Sequence, residues 1–261
     1  MKKRFALIIG AHGSGTTGFF RHLGAHPQIV PCRVKEPRFF TDDRKWTLGV
    51  DWYRSLWDFH EPDERIAIEA SSVYSMHPAV PCPAKRIAQT PAGFYFIYLL
   101  GNPLTRIAAH QAHAFGEGGT EGGLEESVLR SHIDASRYAM QLDGYRRHFR
   151  REDFLLLRSE DLESDPLKLM KRVCCFLEID PYFGFPDLTA SRDAVARDWL
   201  EVLPGLSRWR RRRRSPGGEA ERDRCKLGPE QRAYALRELR DDLTRLEDEW
   251  GFDISGWNLE P

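Results

Sequence analysis

A glycine-rich loop near the start of the chain combines residue types that bind anions. Its sequence, Gly10-Ala11-His12-Gly13-Ser14-Gly15-Thr16-Thr17, has the glycine spacing of the motif G-x-x-x-x-G-K-[ST], with Thr16 in place of the lysine. In nucleotide-binding proteins that lysine reaches the β- and γ-phosphates. A loop that keeps the glycines and the following helix without the lysine therefore predicts a ligand with a shorter anion.

The residues expected to hold that anion follow from the chemistry of a helix N-terminus. Backbone N–H groups and hydroxyls there face the positive end of the helix dipole and favour a bound negative charge. The predicted contacts are Gly13, Ser14, Gly15, Thr16 and Thr17. A plain turn between a strand and a helix is the alternative interpretation of the same residues.

Further short motifs follow the loop in a fixed order. They are His26-Pro27, Lys35-Glu36-Pro37-Arg38-Phe39-Phe40, Asp51-Trp52-Tyr53, Glu69-Ala70-Ser71-Ser72-Val73-Tyr74, Asn102-Pro103-Leu104-Thr105-Arg106 and Ser159-Glu160-Asp161-Leu162. Together with Ser14-Gly15-Thr16-Thr17, this series resembles the sulfotransferases that use 3′-phosphoadenosine 5′-phosphosulfate (PAPS), in particular the bacterial and heparan-sulfate types. Each motif alone is weak, and the resemblance depends on their order.

The resemblance implies a fold and a reaction. The fold is a P-loop-NTPase-like α/β parallel sheet flanked by helices, with residues 1–261 forming one sulfotransferase domain. The reaction moves a sulfuryl group from PAPS to a hydroxyl or amine of a small-molecule or carbohydrate acceptor, leaving 3′-phosphoadenosine 5′-phosphate (PAP). Glu36 is then the expected general base, and we expect Pro37 to hold it in an extended conformation at a strand end. A surface carboxylate is the alternative for Glu36.

The chain departs from the family pattern at three positions. Gly13 replaces the usual lysine or arginine of the loop, Gly101 replaces the arginine of R-N-P, and Ala109 stands where a serine is expected. One lost electrostatic donor can reduce the rate by roughly 10²–10³-fold. Compensating cations are predicted at three places, which are His12, Lys35 and the arginine run Arg208, Arg210, Arg211, Arg212, Arg213 and Arg214. A solvated loop, an address or a nucleic-acid tag is the alternative for that run.

Residues after the second predicted strand complete the candidate site. Asn102 suits a helix N-cap and is predicted to contact the cofactor, and Arg106 is predicted to meet a phosphate or the acceptor. His110 shares the helix face of Arg106 because it lies four residues later. Tyr74, His77 and His110 are the predicted acceptor contacts. A solvated histidine is the alternative for His110, and a surface turn for His77.

Apolar runs place these motifs on strands and helices. Strands are predicted at Phe5–Ile9, Gly93–Leu100 and Phe154–Leu157, each followed by a helical pattern. Such alternation is typical of a parallel sheet covered by helices. A further helix is predicted after Pro229 and ends at Gly251. Residues 116–123 predict a mobile loop over the acceptor, and residues 204–228 an irregular basic segment.

Composition narrows the class of protein. The 261 residues carry no net charge, with 41% hydrophobic and 30% charged residues, so general attraction to nucleic acid and a membrane span are not expected. The five cysteines have no metal-binding spacing, and no metal site is expected. The short apolar run after the basic start ends in the glycine loop, which favours a first strand and a cytoplasmic location.

Two other functions fit parts of the sequence. The substitutions at Gly13, Gly101 and Ala109 would also suit a degenerate sulfotransferase fold that binds without catalysis. A P-loop kinase or nucleotide hydrolase has only the Gly10–Thr17 loop in its favour, and the missing lysine weighs against it.

Overall fold

The computed structural model describes residues 4–60, 62–116, 126–186 and 227–259. The side chains of residues 110–128 are outside this description. Residues 117–123 of the loop predicted at 116–123 and the arginine run therefore lie outside the described residues, as do residues 204–226 of the irregular segment.

Five parallel strands form one sheet. They are β1 (Arg4–Gly10), β2 (Ile29–Pro31), β3 (Ile66–Ala70), β4 (Gly93–Leu100) and β5 (Phe154–Arg158). Their order across the sheet is β2-β3-β1-β4-β5, and every neighbouring pair is parallel. This confirms the predicted parallel α/β fold, and β1, β4 and β5 match the three predicted strands.

The strands bury their apolar runs between covering helices. Ala6, Leu7, Ile8 and Ile9 of β1 have no exposed surface, and neither have Phe96 to Leu100 of β4. Burial on both faces explains why these strands are continuous apolar runs rather than alternating patterns. Because all strands are parallel, the segments that follow them meet at one edge of the sheet, where ligands bind in open α/β folds.

Ten α-helices are described around the sheet. They are α1 (Thr16–Gly24), α2 (Asp43–Trp46), α3 (Gly49–Arg54), α4 (Ala84–Gln89), α5 (Pro103–Gly116), α6 (Glu126–Asp134), α7 (Tyr138–Arg146), α8 (Asp161–Ser164), α9 (Pro166–Phe176) and α10 (Pro229–Trp250). Pro103, Pro166 and Pro229 each open a helix, where a missing N–H costs nothing. Gly251 ends α10 with a positive φ of 61°, as the sequence predicts.

The long helix α10 is fixed against α7 by a buried carboxylate. Leu239 and Leu246 of α10 are fully buried. Asp242 between them accepts hydrogen bonds from the N–H groups of Ala139 (3.0 Å) and Met140 (2.8 Å), which begin α7. The Asp242 carboxylate of α10 thus caps the N-terminus of α7. Burial raises the pKa of Asp242 to about 6.

Within the described ranges, no helix is at once long enough and apolar enough to cross a membrane.

Candidate functional site

The loop after β1 leaves the start of α1 open. Gly13 and Gly15 have φ values of 84° and 82°, a region that glycine enters without strain. The Ser14 N–H bonds the carbonyl of Ala11 at 3.1 Å and closes the turn. Gly15 is the N-cap of α1 and has no side chain to cap the first-turn N–H groups. The loop thus presents backbone donors at a helix N-terminus, which is the geometry that the sequence predicts for an anion site.

Ser14 adds a buried hydroxyl to this loop. Ser14 is only 2% exposed, and its Oγ has no hydrogen-bond partner within the described structure. Leaving a buried hydroxyl unbonded costs about 1–3 kcal/mol. An oxygen of a bound anion would satisfy it, so the residues present fit an anionic ligand.

Glu36 is held by the segment that follows β3. Its carboxylate accepts hydrogen bonds from the Ser72 N–H at 3.1 Å and 3.2 Å and from the Ser72 Oγ at 3.0 Å. Ser72 begins a short 3₁₀ helix, Ser72–Ser75. The predicted extended conformation is wrong, because Glu36 has a φ of 51°. This left-handed turn directs the carboxylate back toward Ser72 instead of out from a strand end.

A small cavity brings two parts of the predicted site together. It is lined by Thr16, Thr17, Phe20, Val34, Lys35, Glu36 and Ala70. The predicted base and the predicted cation Lys35 therefore face the residues that start α1. Glu36 and the first residues of α1 are thus on the walls of one cavity.

His12 joins the same network from the loop. Its Nδ1 lies 3.2 Å from the Ser72 Oγ, which in turn donates to Glu36. The three predicted catalytic residues, His12, Lys35 and Glu36, are thus near one another in the structure.

Asn102 has a structural task at the start of α5. Its Oδ1 accepts hydrogen bonds from the N–H groups of Leu104 (2.9 Å) and Thr105 (3.3 Å), and its Nδ2 donates to the Trp257 carbonyl. The predicted N-cap is therefore present. A cofactor contact by Asn102 stays a prediction, since both ends of its amide already have partners.

Arg106 lies buried beneath the glycine loop. It is 4% exposed, and its Cγ would lie 3.7 Å from a Cβ built at Gly13. Its Nη2 donates to the His132 carbonyl at 2.6 Å, and its Nε to the Ser136 Oγ at 3.1 Å. Its Nη1 is buried without a hydrogen-bond partner, and no ion pair of Arg106 occurs in the described part of the chain. Arg106 thus fixes α5 to α6 and places a positive charge under the loop.

His132 lies beside Arg106 and accepts its hydrogen bond through the backbone carbonyl. Burial, together with the charges of Arg106 and His12, lowers the pKa of His132 to about 4. His132 is therefore neutral at pH 7, and the positive charge of Arg106 has a neutral histidine as its neighbour.

The space beside Gly101 explains one departure from the family pattern. A Cβ built at Gly101 would lie 2.6 Å from the Ser159 Oγ and 3.3 Å from the Ser14 Oγ. An arginine at this position would require both serines to move. The two hydroxyls fill the space in which the family's arginine would start.

The predicted acceptor contacts are described only in part. Tyr74 is 2% exposed and its hydroxyl donates to Glu69 at 3.1 Å, so its hydroxyl already has a partner within the chain, and an acceptor contact by Tyr74 stays a prediction. His77 is exposed in a turn, and its backbone pairs with the Gln141 amide at 2.9 Å and 2.7 Å. The side chain of His110 lies outside the described residues, as do Arg210, Arg211 and Arg212.

Glu69 has the burial and the raised pKa that are typical of functional residues, and the sequence patterns did not predict a role for it. It is fully buried on β3 and accepts hydrogen bonds from the hydroxyls of Tyr53 and Tyr74, each at 3.1 Å. Burial raises its pKa to about 8. One signal was visible, since a glutamate interrupts the apolar run Ile66–Ala70, but the two tyrosines come from separate segments.

Comparisons with known proteins agree with this architecture. The sulfotransferase domain model matches residues 3–187. Human heparan sulfate glucosamine 3-O-sulfotransferase 6 is 30% identical over 201 residues, which cover 70% of this chain and 57% of that protein. The mouse heparan sulfate glucosamine 3-O-sulfotransferase 5 is 25% identical over 191 residues, covering 67% of this chain and 54% of that protein. The chain thus spans little more than half the length of these curated relatives.

Solved structures share the fold over nearly the whole chain. A sulfotransferase from Alicyclobacillus acidocaldarius superposes with a TM-score of 0.69 at 22% identity, covering 98% of this chain and 99% of that one. A mouse sulfotransferase complexed with PAP superposes with a TM-score of 0.53 at 17% identity, covering 95% and 89%. At these identities the likeness shows the fold, whereas the domain match extends over most of the sequence. The chain belongs to the sulfotransferase domain family.

Proposed function

We propose that this protein transfers a sulfuryl group from PAPS to a hydroxyl or amine of a small-molecule or carbohydrate acceptor, with Glu36 as the general base. One observation carries the proposal. Glu36 lines the same cavity as Thr16 and Thr17 at the open start of α1. A base and an anion-binding helix terminus in one cavity are what an in-line transfer from a phosphosulfate requires.

The loop residues would bind the donor. The first-turn N–H groups of α1 and the hydroxyls of Ser14, Thr16 and Thr17 can donate hydrogen bonds to the 5′-phosphosulfate end, which supplies the electrophilic sulfur. Support for this donor comes from the family and from the mouse neighbour complexed with PAP. A bound donor would give the unbonded Ser14 Oγ a hydrogen-bond partner.

Glu36 would activate the acceptor. In the transfer, the acceptor oxygen or nitrogen bonds the sulfur, the bond between sulfur and the phosphate oxygen breaks, and the acceptor proton passes to the Glu36 carboxylate. The Ser72 N–H and hydroxyl aim that carboxylate, and its side chain remains 22% exposed, so an acceptor can reach it. The Lys35 side chain lines the same cavity and can offset charge on the departing phosphate.

Arg106 supports the donor site from below. The lysine or arginine expected at Gly13 is absent, and one missing donor of this kind costs roughly 10²–10³-fold in rate. A buried guanidinium packed against the loop places a cation near the same anion. A buried cation without a counter-charge is unfavourable, so a bound anion would stabilise it.

A second candidate is a binding protein without transferase activity. It is favoured by the space beside Gly101, which has no room for the arginine of the family pattern. Membership of the sulfotransferase family argues against the kinase alternative. Binding of PAP without transfer from PAPS to any acceptor would support the second candidate.

Substitution of Glu36 tests the proposal. Transfer of radioactive sulfur from labelled PAPS would be measured against a panel of sugars, phenols and nucleosides. Glu36→Gln keeps the size of the side chain and removes the base, so we expect a loss of roughly 10²–10⁴-fold in rate with PAP affinity retained. Glu152→Gln, at an exposed carboxylate, is the matched control and should keep the wild-type rate. Undiminished transfer by Glu36→Gln would overturn the role of Glu36.

A further inference from the structure

The geometry points to Ser72 as a positioning residue that joins His12 to Glu36 through its hydroxyl. This inference rests on the proposed function and goes beyond it by naming how the base is oriented. Ser72 is 5% exposed and contacts both partners, at 3.2 Å from His12 Nδ1 and 3.0 Å from Glu36 Oε1. Its hydroxyl is therefore the link between the glycine loop and the base.

The proton positions along this link follow from chemistry. An ionised carboxylate only accepts hydrogen bonds, so the single hydroxyl proton of Ser72 is donated to Glu36. The Ser72 oxygen can then only accept, and His12 must carry its proton on Nδ1 for the 3.2 Å contact to be a hydrogen bond. The loop residue thereby polarises the serine toward the carboxylate.

Ser72 also acts through its backbone. Its N–H lies 3.1 Å and 3.2 Å from the two Glu36 oxygens, so one residue fixes both oxygens of the carboxylate. Arg38 is also near this carboxylate, with its Nε 3.8 Å from Oε2 on a side chain that is 54% exposed. Surface ion pairs are weak, so this exposed pair contributes little to the orientation of the Glu36 carboxylate. Orientation of Glu36 therefore depends mainly on Ser72.

The loop is coupled to the base by this arrangement. His12 lies in the glycine loop that follows β1, and Ser72 lies just after β3. A donor bound at the loop would thus be sensed at the carboxylate through one hydroxyl. Removing that hydroxyl should affect the reaction more than the binding of the donor.

Kinetics of Ser72 variants test this role. Ser72→Ala should lower kcat by about 10²-fold, the scale of a misplaced reacting group, with the KM for PAPS unchanged. Ser72→Thr keeps the hydroxyl and should restore most of the rate. Ser75→Ala, a buried serine of the same 3₁₀ helix, is the matched control and should behave as wild type. Equal losses in Ser72→Thr and Ser72→Ala, or none in either, would overturn the inference.

Two further measurements keep the test independent of overall activity. If both residues act through one hydroxyl, the Ser72→Ala and His12→Ala double variant should be no slower than Ser72→Ala alone, whereas additive losses would contradict the link. Crystal structures of the Ser72→Ala and Ser72→Thr chains need no acceptor. In the alanine variant only, we expect His12 to turn away from residue 72 and the Glu36 carboxylate, still bonded by the N–H of residue 72, to rotate. Unchanged positions there would refute the inference even if no transfer is found.

Discussion

Two strand-to-helix joints, β1 to α1 and β4 to α5, have similar sequence patterns but differ in whether a side chain of the chain itself caps the helix. After β1, a glycine turn opens the start of α1, where Ser14 Oγ has no partner in the described structure. After β4, Asn102 caps α5 and bonds the Trp257 carbonyl, so the joint is closed by the chain's own groups. A free helix terminus and a capped one therefore lie side by side at the same edge of the sheet.

The difference between these joints teaches where a ligand can bind. A capping side chain such as Asn102 satisfies the first-turn N–H groups and stabilises the helix. Gly15 cannot do so, which leaves donors for an anion at the cost of local stability. We therefore assign binding to the β1 joint and a structural role to the β4 joint.

The largest expected effect is on the pH dependence of stability, through Glu69 on β3, the strand that pairs with β1. Glu69 has a folded-state pKa of about 8, above its ordinary value of 4.5, so the folded state holds a proton that the unfolded state has lost. Its contribution to stability is complete below pH 4.5 and is lost as pH rises through about 8. Between pH 6 and 8 the free energy of unfolding should fall by about 1.4 kcal/mol per pH unit from this group.

Urea unfolding of wild type and Glu69→Gln from pH 6 to 8 measures this effect. Asp242, with a pKa of about 6, also titrates near the lower end of this range, but it is present in both proteins and its effect cancels in their comparison. The glutamine keeps an oxygen that accepts hydrogen bonds from Tyr53 and Tyr74. The unfolding free energy of Glu69→Gln should therefore lack the fall with pH that the Glu69 carboxyl causes. Parallel pH dependence of the two proteins would show that Glu69 is ionised in the fold at neutral pH.

The Gly101 joint should reject the family's arginine. The close approach of Ser159 Oγ, 2.6 Å from a Cβ at this position, predicts that Gly101→Arg loses about 1–3 kcal/mol of stability through overpacking. Chemical denaturation measures the loss. Full stability together with tighter PAP binding would mean that the β4 joint is a vacant phosphate site.

The Gly13 position should accept a lysine. Among the described residues, its Cβ would meet only Arg106 Cγ at an ordinary 3.7 Å, so the cost is the left-handed backbone, about 1–3 kcal/mol of stability. A charged hydrogen bond to the donor contributes about 1.5–3 kcal/mol to binding, so PAP affinity should rise roughly tenfold or more. Calorimetry of Gly13→Lys checks this, and unchanged affinity would place the phosphate elsewhere.

Sequence patterns predicted the sheet better than the site. β1, β4 and β5 are long apolar runs, whereas β2 has three residues and β3 contains Glu69, so neither gave a clear signal. The loop could be identified because its three glycines lie within the six residues Gly10–Gly15. The turn at Glu36 could not, since residues before proline are biased toward extended conformations and the bonds to Ser72 span distant parts of the chain.

The smallest expected effect is at the capped joint. Asn102→Ala removes the side-chain acceptor of Leu104 N–H and should cost about 1 kcal/mol of stability. PAP affinity should stay at the wild-type value, because Asn102 already uses its amide within the chain. Thermal unfolding and calorimetry on the same variant separate the two effects, and a large loss of PAP binding would restore the predicted cofactor contact.

Titration calorimetry of PAP into wild type and Ser14→Ala tests the central claim most directly. If the β1 joint binds the donor, wild type should bind PAP at one site, and the variant should lose roughly 10–100-fold in affinity with its charged hydrogen bond. The free variant should be no less stable, since the hydroxyl it lacks is buried and unbonded. Absence of PAP binding to wild type, or equal affinity in Ser14→Ala, would contradict the account.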